Sequence, residues 1–455
     1  MEKTSADIII IGGGAAGLMA AAGCAFAADQ KRNIEQENTA PKPVKVLILE
    51  KMPRAGRKIM ITGKGRCNIT NVKPWNEFQH HIHPKANFLK PSFYNLSSEA
   101  MLGFLSDIGL ETIIERGDRA YPSSYNAADV VDTLVQAATE AGAKLICNKT
   151  VSDTVALQTN DSKTAFRVNC ADGSEFTCRK LIICTGGLSY PRTGSTGDGY
   201  RWAEGFGHKI KHCLPSLTAI VPKGYKQIIG KPKEGHINRD TPLSELGELL
   251  CGNQLKNVNL SLMIDGNEVI SEFGDLDFTD GGIEGPIGFK ISRKCVYAIA
   301  SGSKATVTLD LKPAVSEESL SSRINNLWKD ITQDRRSAGR QYRDKFKVLL
   351  CKLMPMDLVP AFMKMHPNAD HKSLARYLKA WRFEIEGYVG YERSVVTAGG
   401  ISLEGVTAKT LESKVVSGLY FAGEVLDLDG DTGGYNLQTA FSTGYLAGIS
   451  AYKAL

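Results

Sequence analysis

The sequence predicts an α/β fold in which both chain ends build one parallel-sheet domain around inserted β-rich and helical segments. Three observations carry that prediction. The apolar run Asp7–Ile11 leads into Gly12-Gly13-Gly14-Ala15-Ala16-Gly17 and then an alanine-rich helical stretch. A later apolar strand, Leu181 to Cys184, ends in Thr185-Gly186-Gly187. Near the other end, Leu419-Tyr420-Phe421-Ala422-Gly423-Glu424 precedes Gly433-Gly434 and a last helix. Strand, glycine turn and helix in succession are the units of such sheets.

At 455 residues the chain exceeds what one hydrophobic core usually serves, so two or three domains are expected. Its 42% hydrophobic and 23% charged residues are ordinary for a globular protein. A net charge of +6 favours anionic ligands in general. No concentrated basic stripe stands out, so no nucleic-acid partner is expected. The ten cysteines include no CxxC pair and suit neither a zinc site nor a disulfide framework, so no metal is expected. No signal peptide is legible, and no apolar stretch approaches the roughly 20 residues that span a bilayer. A cytoplasmic protein without membrane attachment is the expectation.

The elements follow in order. The first strand and turn give way to a helix from about Leu18 to Ala28. Residues 29–43, polar and proline-containing, read as a loop. Val44 to Leu49 is a strand that closes on Glu50. Helices are expected at Ser98 to Ile108 and, capped by Asn126, at Asn126 to Ala141, with a strand at Lys144 to Asn148. Residues 151–180 alternate as a small antiparallel sheet would. Tyr200 to Phe206 reads as a helix. From about 206 short strands dominate, including Leu260 to Ile264, a turn at Asp265-Gly266-Asn267, and Ala305 to Leu311. Residues 316–381 are charged and helix-patterned. Strand texture resumes at Phe383, Val415 to Phe421 is a strand, and Asn436 to about Lys453 is the last helix. These boundaries divide the chain into a nucleotide-binding domain at 1–205 and 395–455, a β-rich domain at 206–312 and 382–394, and a helical cap at 313–381.

The chemistry sits in four segments. Gly12-x-Gly14-x-x-Gly17 is a dinucleotide turn: Gly12 for the bend, Gly14 for close backbone approach to a pyrophosphate, Gly17 for helix–strand packing. Ala15 and Ala16 lie in this turn, before a helix whose free N–H groups and dipole favour phosphate. Glu50, ending the second strand, is placed to bind adenosine ribose hydroxyls. Its 33-residue separation from Gly17 exceeds the usual figure of about 20, and the polar 29–43 insertion accounts for the excess. The second segment is Lys51 to Asn71, KMPRAGRKIMITGKGRCNITN. Its Arg57, Lys58, Lys64 and Arg66 are cations able to meet phosphate or a carboxylate, and Lys51, Gly63, Gly65, Cys67 and Asn68 are candidate cofactor contacts in the same segment. In the third, Thr185, Gly186 and Gly187 let a second backbone segment pass close to a cofactor. In the fourth, Gly423 and Glu424 end a strand, and Gly434, Tyr435, Asn436 and Leu437 start a helix. Backbone N–H groups there would hold the carbonyl beside N1 of a flavin and stabilise the negative charge that reduction brings.

Together these segments resemble the BaiN-like NAD(P)/FAD-dependent oxidoreductases, flavoproteins with two dinucleotide-binding domains. The residues that carry the resemblance are IIIIGGGAAGLMAA, LEKMPRAGRKIMITGKGRCNITN, ICTGGLSYPRTGSTGDGY, VVTAGGIS and LYFAGEVLDLDGDTGGYNLQTAFSTGYLAG. The resemblance implies a Rossmann-like FAD-binding domain and non-covalent FAD. It places FAD contacts on Ala15, Glu50, Arg57, Lys58, Gly63, Val151, Glu424, Asn436 and Leu437, with Val151 contributing backbone near the adenine. One motif departs: where such proteins carry Phe-Thr-His-x-Gly-x-Ser-Gly-Pro, this chain has Asp280 for the histidine and Glu284 for the serine, in Phe278 to Pro286.

Other signals read as structural. Cys67 lacks the second cysteine of a dithiol pair and is expected to pack. The run His80-His81-Ile82-His83 reads as a polar loop, since a metal needs more converging ligands. Arg335, Arg336, Arg340 and Arg343 read as a solvated helix face. The expected function is FAD-dependent reduction of an unsaturated or carbonyl-conjugated small molecule. NAD(P)H would be a transient donor, because no second GxGxxG is present. An amine oxidase using oxygen, a tRNA-modifying flavoprotein and a non-catalytic flavoprotein are the alternatives. No catalytic acid is legible.

Overall fold

The computed structural model describes residues 3–35, 44–158, 164–335 and 339–455. Its contacts divide the chain into two compact units, residues 1–214 with 396–455, and residues 215–395.

The first unit is organised by a five-stranded sheet. Its order is Leu419–Phe421, Lys180–Ile183, Ile8–Ile11, Val46–Leu49 and Lys144–Ile146. Every pairing is parallel, with Ile11 level with both Leu49 and Ile183, and Ile183 level with Phe421. Parallel sheets are covered on both faces, which is why Ile8–Ile11 is an unbroken and fully buried apolar run. Because the strands run the same way, the Gly12 turn, Glu50, Thr185 and Ala422 all emerge at one edge. Ligands of open α/β sheets bind at that carboxyl edge.

Helices Ala15–Glu35 and Tyr435–Lys453 pack closely on one another. Glycine makes the approach possible: a Cβ on Gly444 would lie 2.1 Å from the Ala16 carbonyl oxygen, and one on Gly448 1.9 Å from that of Ala20. Val151–Gln158, Thr164–Cys170 and Glu175–Cys178 form a four-stranded sheet with Lys3–Ser5, which adds in parallel to the last. Ser97 and Asn126 cap the helices Ser98–Asp107 and Ala127–Glu140 through their side chains.

Two expectations need correction here. The first helix does not stop at Ala28 but continues to Glu35, because Gln, Lys, Arg and Glu propagate a helix once it is nucleated. The rest of the expected 29–43 loop, residues 36–43, lies outside the described residues. The strand expected from Val415 begins at Leu419, after a turn through Gly418 at φ 80°.

The second unit contains six strands that close on themselves. Ile220–Pro222, Gly282–Glu284, Asn267–Thr279, Gln254–Ile264, Ala305–Asp310 and Trp381–Val389 follow in order, and Trp381–Val389 pairs back with Ile220–Pro222. The sequence reading missed the helix Gly285–Ala300 in this stretch, which buries Ile287, Ile291 and Cys295 in the same core. Helices Glu317–Gln333, Tyr342–Cys351, Val359–Met365 and Leu374–Lys379 bury Ile324, Leu350, Phe362 and Leu378 there too. Residues of the β-rich and helical segments are therefore buried in one shared core.

Candidate functional site

The carboxyl edge of the parallel sheet collects the predicted motifs. Gly12 has φ 104°, and a Cβ on it would meet the Cys184 carbonyl oxygen at 2.4 Å. A Cβ on Gly17 would stand 1.8 Å from the Gly12 carbonyl oxygen. Gly14 differs, because a Cβ there meets no protein atom within 4 Å. Packing therefore explains Gly12 and Gly17, whereas Gly14 faces open space where a ligand could lie against backbone. Beside this turn the buried Thr185 hydroxyl oxygen has no hydrogen-bond partner, and Ala15 begins a helix whose first N–H groups are unsatisfied by the helix itself.

Glu50 sits next to the same turn. Gly13 N–H donates to its Oε2 (2.7 Å) and Met52 N–H to its Oε1 (2.8 Å). Burial pushes the carboxyl above its ordinary value, against the pull of these two donors. Each carboxylate oxygen can accept a further bond, so hydroxyl binding stays chemically open. Lys149 N–H donates to the Glu50 carbonyl (2.8 Å), which brings the start of the Val151 strand to this edge. Val151 itself is buried.

The cations of the second segment separate. Lys58 donates to Glu424 Oε2 (2.9 Å) and to Ser189 Oγ (3.2 Å). Glu424 Oε1 accepts from Ser189 Oγ (2.6 Å) and Thr397 N–H (2.9 Å). Burial alone would raise the Glu424 carboxyl, but Lys58 and these donors outweigh it and hold it below its ordinary value. A Cβ on Gly187 would strike Thr397 Oγ1 at 2.4 Å, and one on Gly186, at φ 73°, would lie 2.9 Å from Ser195 Oγ. Ser189 and Thr397 were missed, because lone hydroxyls carry no spacing signal. Arg57 is exposed and has no ion-pair partner among the described residues.

Four of the predicted residues have side chains engaged within the protein. Lys51 pairs with Asp198 (2.7 Å) and Thr196 (2.5 Å). Arg66 points to Tyr121 and Tyr125, 4.9 and 5.7 Å from their ring centroids, with Glu115 at 3.8 Å. Cys67 is fully buried, and burial pushes its thiol up to about 12, so it packs as expected but offers no side chain to a ligand. Tyr435 is buried against His81, stacked at 4.3 Å, and against the edge of Phe78.

The segment's exposed turn, with Gly63 at φ 57° and Gly65 at φ 85°, leads back to the last helix. Asn68, its amide assigned so that nitrogen faces the Thr70 carbonyl (3.2 Å), accepts from Gly434 N–H (3.2 Å). The Asn436 side chain clamps Gly430 in both directions, accepting from its N–H (2.7 Å) and donating to its carbonyl (2.8 Å). Gly434 caps without a side chain, so the first-turn N–H groups, those of Tyr435, Asn436 and Leu437, have no partner within the helix. Gly423 packs against Ala16, with a Cβ on it only 2.8 Å from that methyl, which brings the first turns of both long helices to one edge.

Asp431 lies just before this helix, bonded to His81 Nδ1 (2.8 Å) and His83 Nε2 (3.3 Å). Burial works to raise its carboxyl, but the imidazoles hold it down at about 2. A depressed carboxylate stabilises the fold above its unfolded value and loses that contribution as pH falls through the folded value. The loss here lies between roughly pH 4 and 2 and is worth about 2 kcal/mol. Asp431→Asn is expected to flatten stability against pH in that window, measured by chemical unfolding. An unchanged slope would remove the histidine pair as its cause.

In the second unit, the departed motif forms its own ion-pair set. Arg393 donates to Asp280 (2.5 Å) and, bidentately, to Glu284 (2.5 and 3.1 Å). Asp280 and Glu284 therefore serve one guanidinium. Among the described residues no cluster of three or more His, Cys, Asp or Glu is arranged for a metal, and no helix is long and apolar enough to cross a membrane.

A family model described as the HI0933-like protein Rossmann domain matches residues 6–450. A ribosomal RNA dihydrouridine synthase of Haemophilus influenzae is 29% identical over 452 residues, 97% of either chain. A 3-dehydro-bile acid delta(4,6)-reductase of Clostridium scindens is 29% identical, covering 97% of this chain and 98% of its own. A ribosomal RNA dihydrouridine synthase of Escherichia coli is 27% identical over 96% of both.

Proposed function

Since this chain belongs to the HI0933-like Rossmann family and is a flavin-dependent oxidoreductase, we propose that it reduces a carbon–carbon double bond conjugated to a carbonyl, using non-covalent FAD and NAD(P)H. The observation that carries the cofactor is Gly14, open to solvent at the sheet edge between two tightly packed glycines. Around it, Ala15 and its neighbours would hold the pyrophosphate at a helix N-terminus. Glu50 would receive the ribose hydroxyls, and Lys58, fixed by Glu424 and Ser189, would face the cofactor with a defined position. The first turn of Tyr435–Lys453 would turn N–H groups and a helix dipole toward the pyrimidine end of the ring, where they favour negative charge. FAD held there supplies two electrons to a bound substrate.

The substrate chemistry follows from the relatives. A delta(4,6)-reductase acting on a 3-dehydro bile acid saturates double bonds conjugated to a ketone. A dihydrouridine synthase saturates the uracil double bond conjugated to its ring carbonyl. One reaction type covers both names. The first reading is a free small organic molecule; a second, favoured by the two ribosomal RNA enzymes among the relatives, is a uracil base within RNA.

The test is anaerobic. Holoprotein reduced with NADPH or NADH is mixed with a 4-en-3-one steroid, with free uridine or with ribosomal RNA, and flavin absorbance is followed. Reoxidation by one of these with a saturated product is expected. Reoxidation by none of them, alongside oxygen uptake driven by a primary amine, would replace this reading with the amine oxidase.

A further inference from the structure

The basic charge of this chain is not spread over it. Residues 335–382 contain 12 lysines and arginines against 3 aspartates and glutamates, a net +9, while the rest of the chain is net −3. The whole positive excess of the protein therefore resides in one helical stretch of the second unit. These cations are interleaved with the apolar residues of amphipathic helices and form no run.

Folding sorts the two sets. Phe346, Leu349 and Leu350 of helix Tyr342–Cys351 go into the core, as do Leu374 and Leu378 of helix Leu374–Lys379. Arg340, Arg343, Lys347, Lys352 and Lys372 are exposed, and among the described residues none of the five forms an ion pair. Arg343 and Lys347 stand one helical turn apart. Lys364 and Lys379, by contrast, pair with Glu245 and Asp310.

An aromatic shelf lies among these cations. The rings of Trp328 and His371 stack at 4.8 Å with 9° between planes, and Tyr342 lies 4.9 Å from Trp328. The Tyr342 hydroxyl meets His371 Nδ1 at 3.2 Å, which fixes the group, yet Tyr342 is 47% exposed. In sequence, Arg340 and Arg343 flank Tyr342, and Lys372 follows His371.

We propose that this face of the helical segment binds RNA, its unpaired cations tracking the phosphate backbone and Tyr342 offering a ring on which a base stacks. Unpaired cations beside an exposed, held aromatic ring are the combination that binds single-stranded nucleic acid. An acidic protein would use the charge and leave the ring unexplained. The inference rests on the second reading above, in which the reduced double bond belongs to RNA.

The test uses full-length holoprotein and a labelled uridine-rich RNA of about 30 nucleotides, by anisotropy over a salt series. The parent should bind with an affinity that falls steeply with salt. In the R340E/R343E/K347E triple variant the slope of log affinity against log salt should shrink by about 2, at roughly 0.7 per lost phosphate contact. Tyr342→Ala should weaken binding at least about fivefold with the slope unchanged. Both variants should keep the flavin spectrum and the parental rate of flavin reoxidation by a free 4-en-3-one or uridine. No RNA binding by the parent, or equal binding by parent and variants, overturns the proposal. So does binding to phosphatidylglycerol vesicles without binding to RNA. Reoxidation by free enone in a protein that does not bind RNA would sink this proposal and leave the reductase reading standing. RNA binding without reoxidation by any conjugated substrate would do the reverse.

Discussion

Gly434→Val is expected to lose FAD and a large part of the fold's stability together. Gly434 holds φ 101°, a conformation that side chains rarely adopt, and a Cβ there would lie 2.3 Å from the Thr70 carbonyl carbon and 2.8 Å from the Asn71 nitrogen. Backbone cannot swing aside as the end of a flexible side chain can. Either Thr70–Asn71 leaves its pairing with Arg119–Ala120, or the last helix shifts along its axis against Ala15–Glu35. Both routes break tightly packed contacts, so a cost of about 4 kcal/mol or more is expected, in the range reached only by core and strained-backbone changes. Thermal unfolding of the variant should show a lowered midpoint even without flavin. A variant with the parental midpoint would mean that the helix start has room the geometry does not show.

Gly14→Val should behave in the opposite manner. No protein atom lies within 4 Å of the added Cβ, so the apoprotein should fold and melt like the parent. FAD binding should suffer, because the side chain would fill the space through which the cofactor approaches backbone. Overpacking of this kind costs about 1–3 kcal/mol, roughly 5- to 150-fold in affinity. Titration of the apoprotein with FAD, read by flavin fluorescence, measures it. Parental affinity would show that the pyrophosphate does not lie over Gly14. The two variants together separate a glycine required by the fold from one required by the ligand.

Much of this protein was legible before folding, and the reason is locality. Gly12, Gly14 and Gly17 act through the turn they occupy. The isoleucines of Ile8–Ile11 announce a strand buried on both faces, and Ser97 and Asn126 cap helices two or three residues away. Such signals depend on neighbours along the chain, so the fold class and the union of both chain ends in one sheet could be read from them. The partners of the charged groups could not. Lys58 meets Glu424 across 366 residues and Glu424 meets Ser189 across 235, while Lys51, placed by sequence beside the ribose acid, turns to Asp198 across 147. Cys67 and Tyr435 carry polar atoms in predicted site segments, yet dense packing took both side chains into the core. The β-rich and helical stretches looked separate by texture, but strand Trp381–Val389 closes the barrel across the helical insertion and draws both into one core. Local chemistry determined which elements form. Only the tertiary structure decided which side chains meet, because pairing of a charge or burial of a ring depends on whatever distant segment reaches it first.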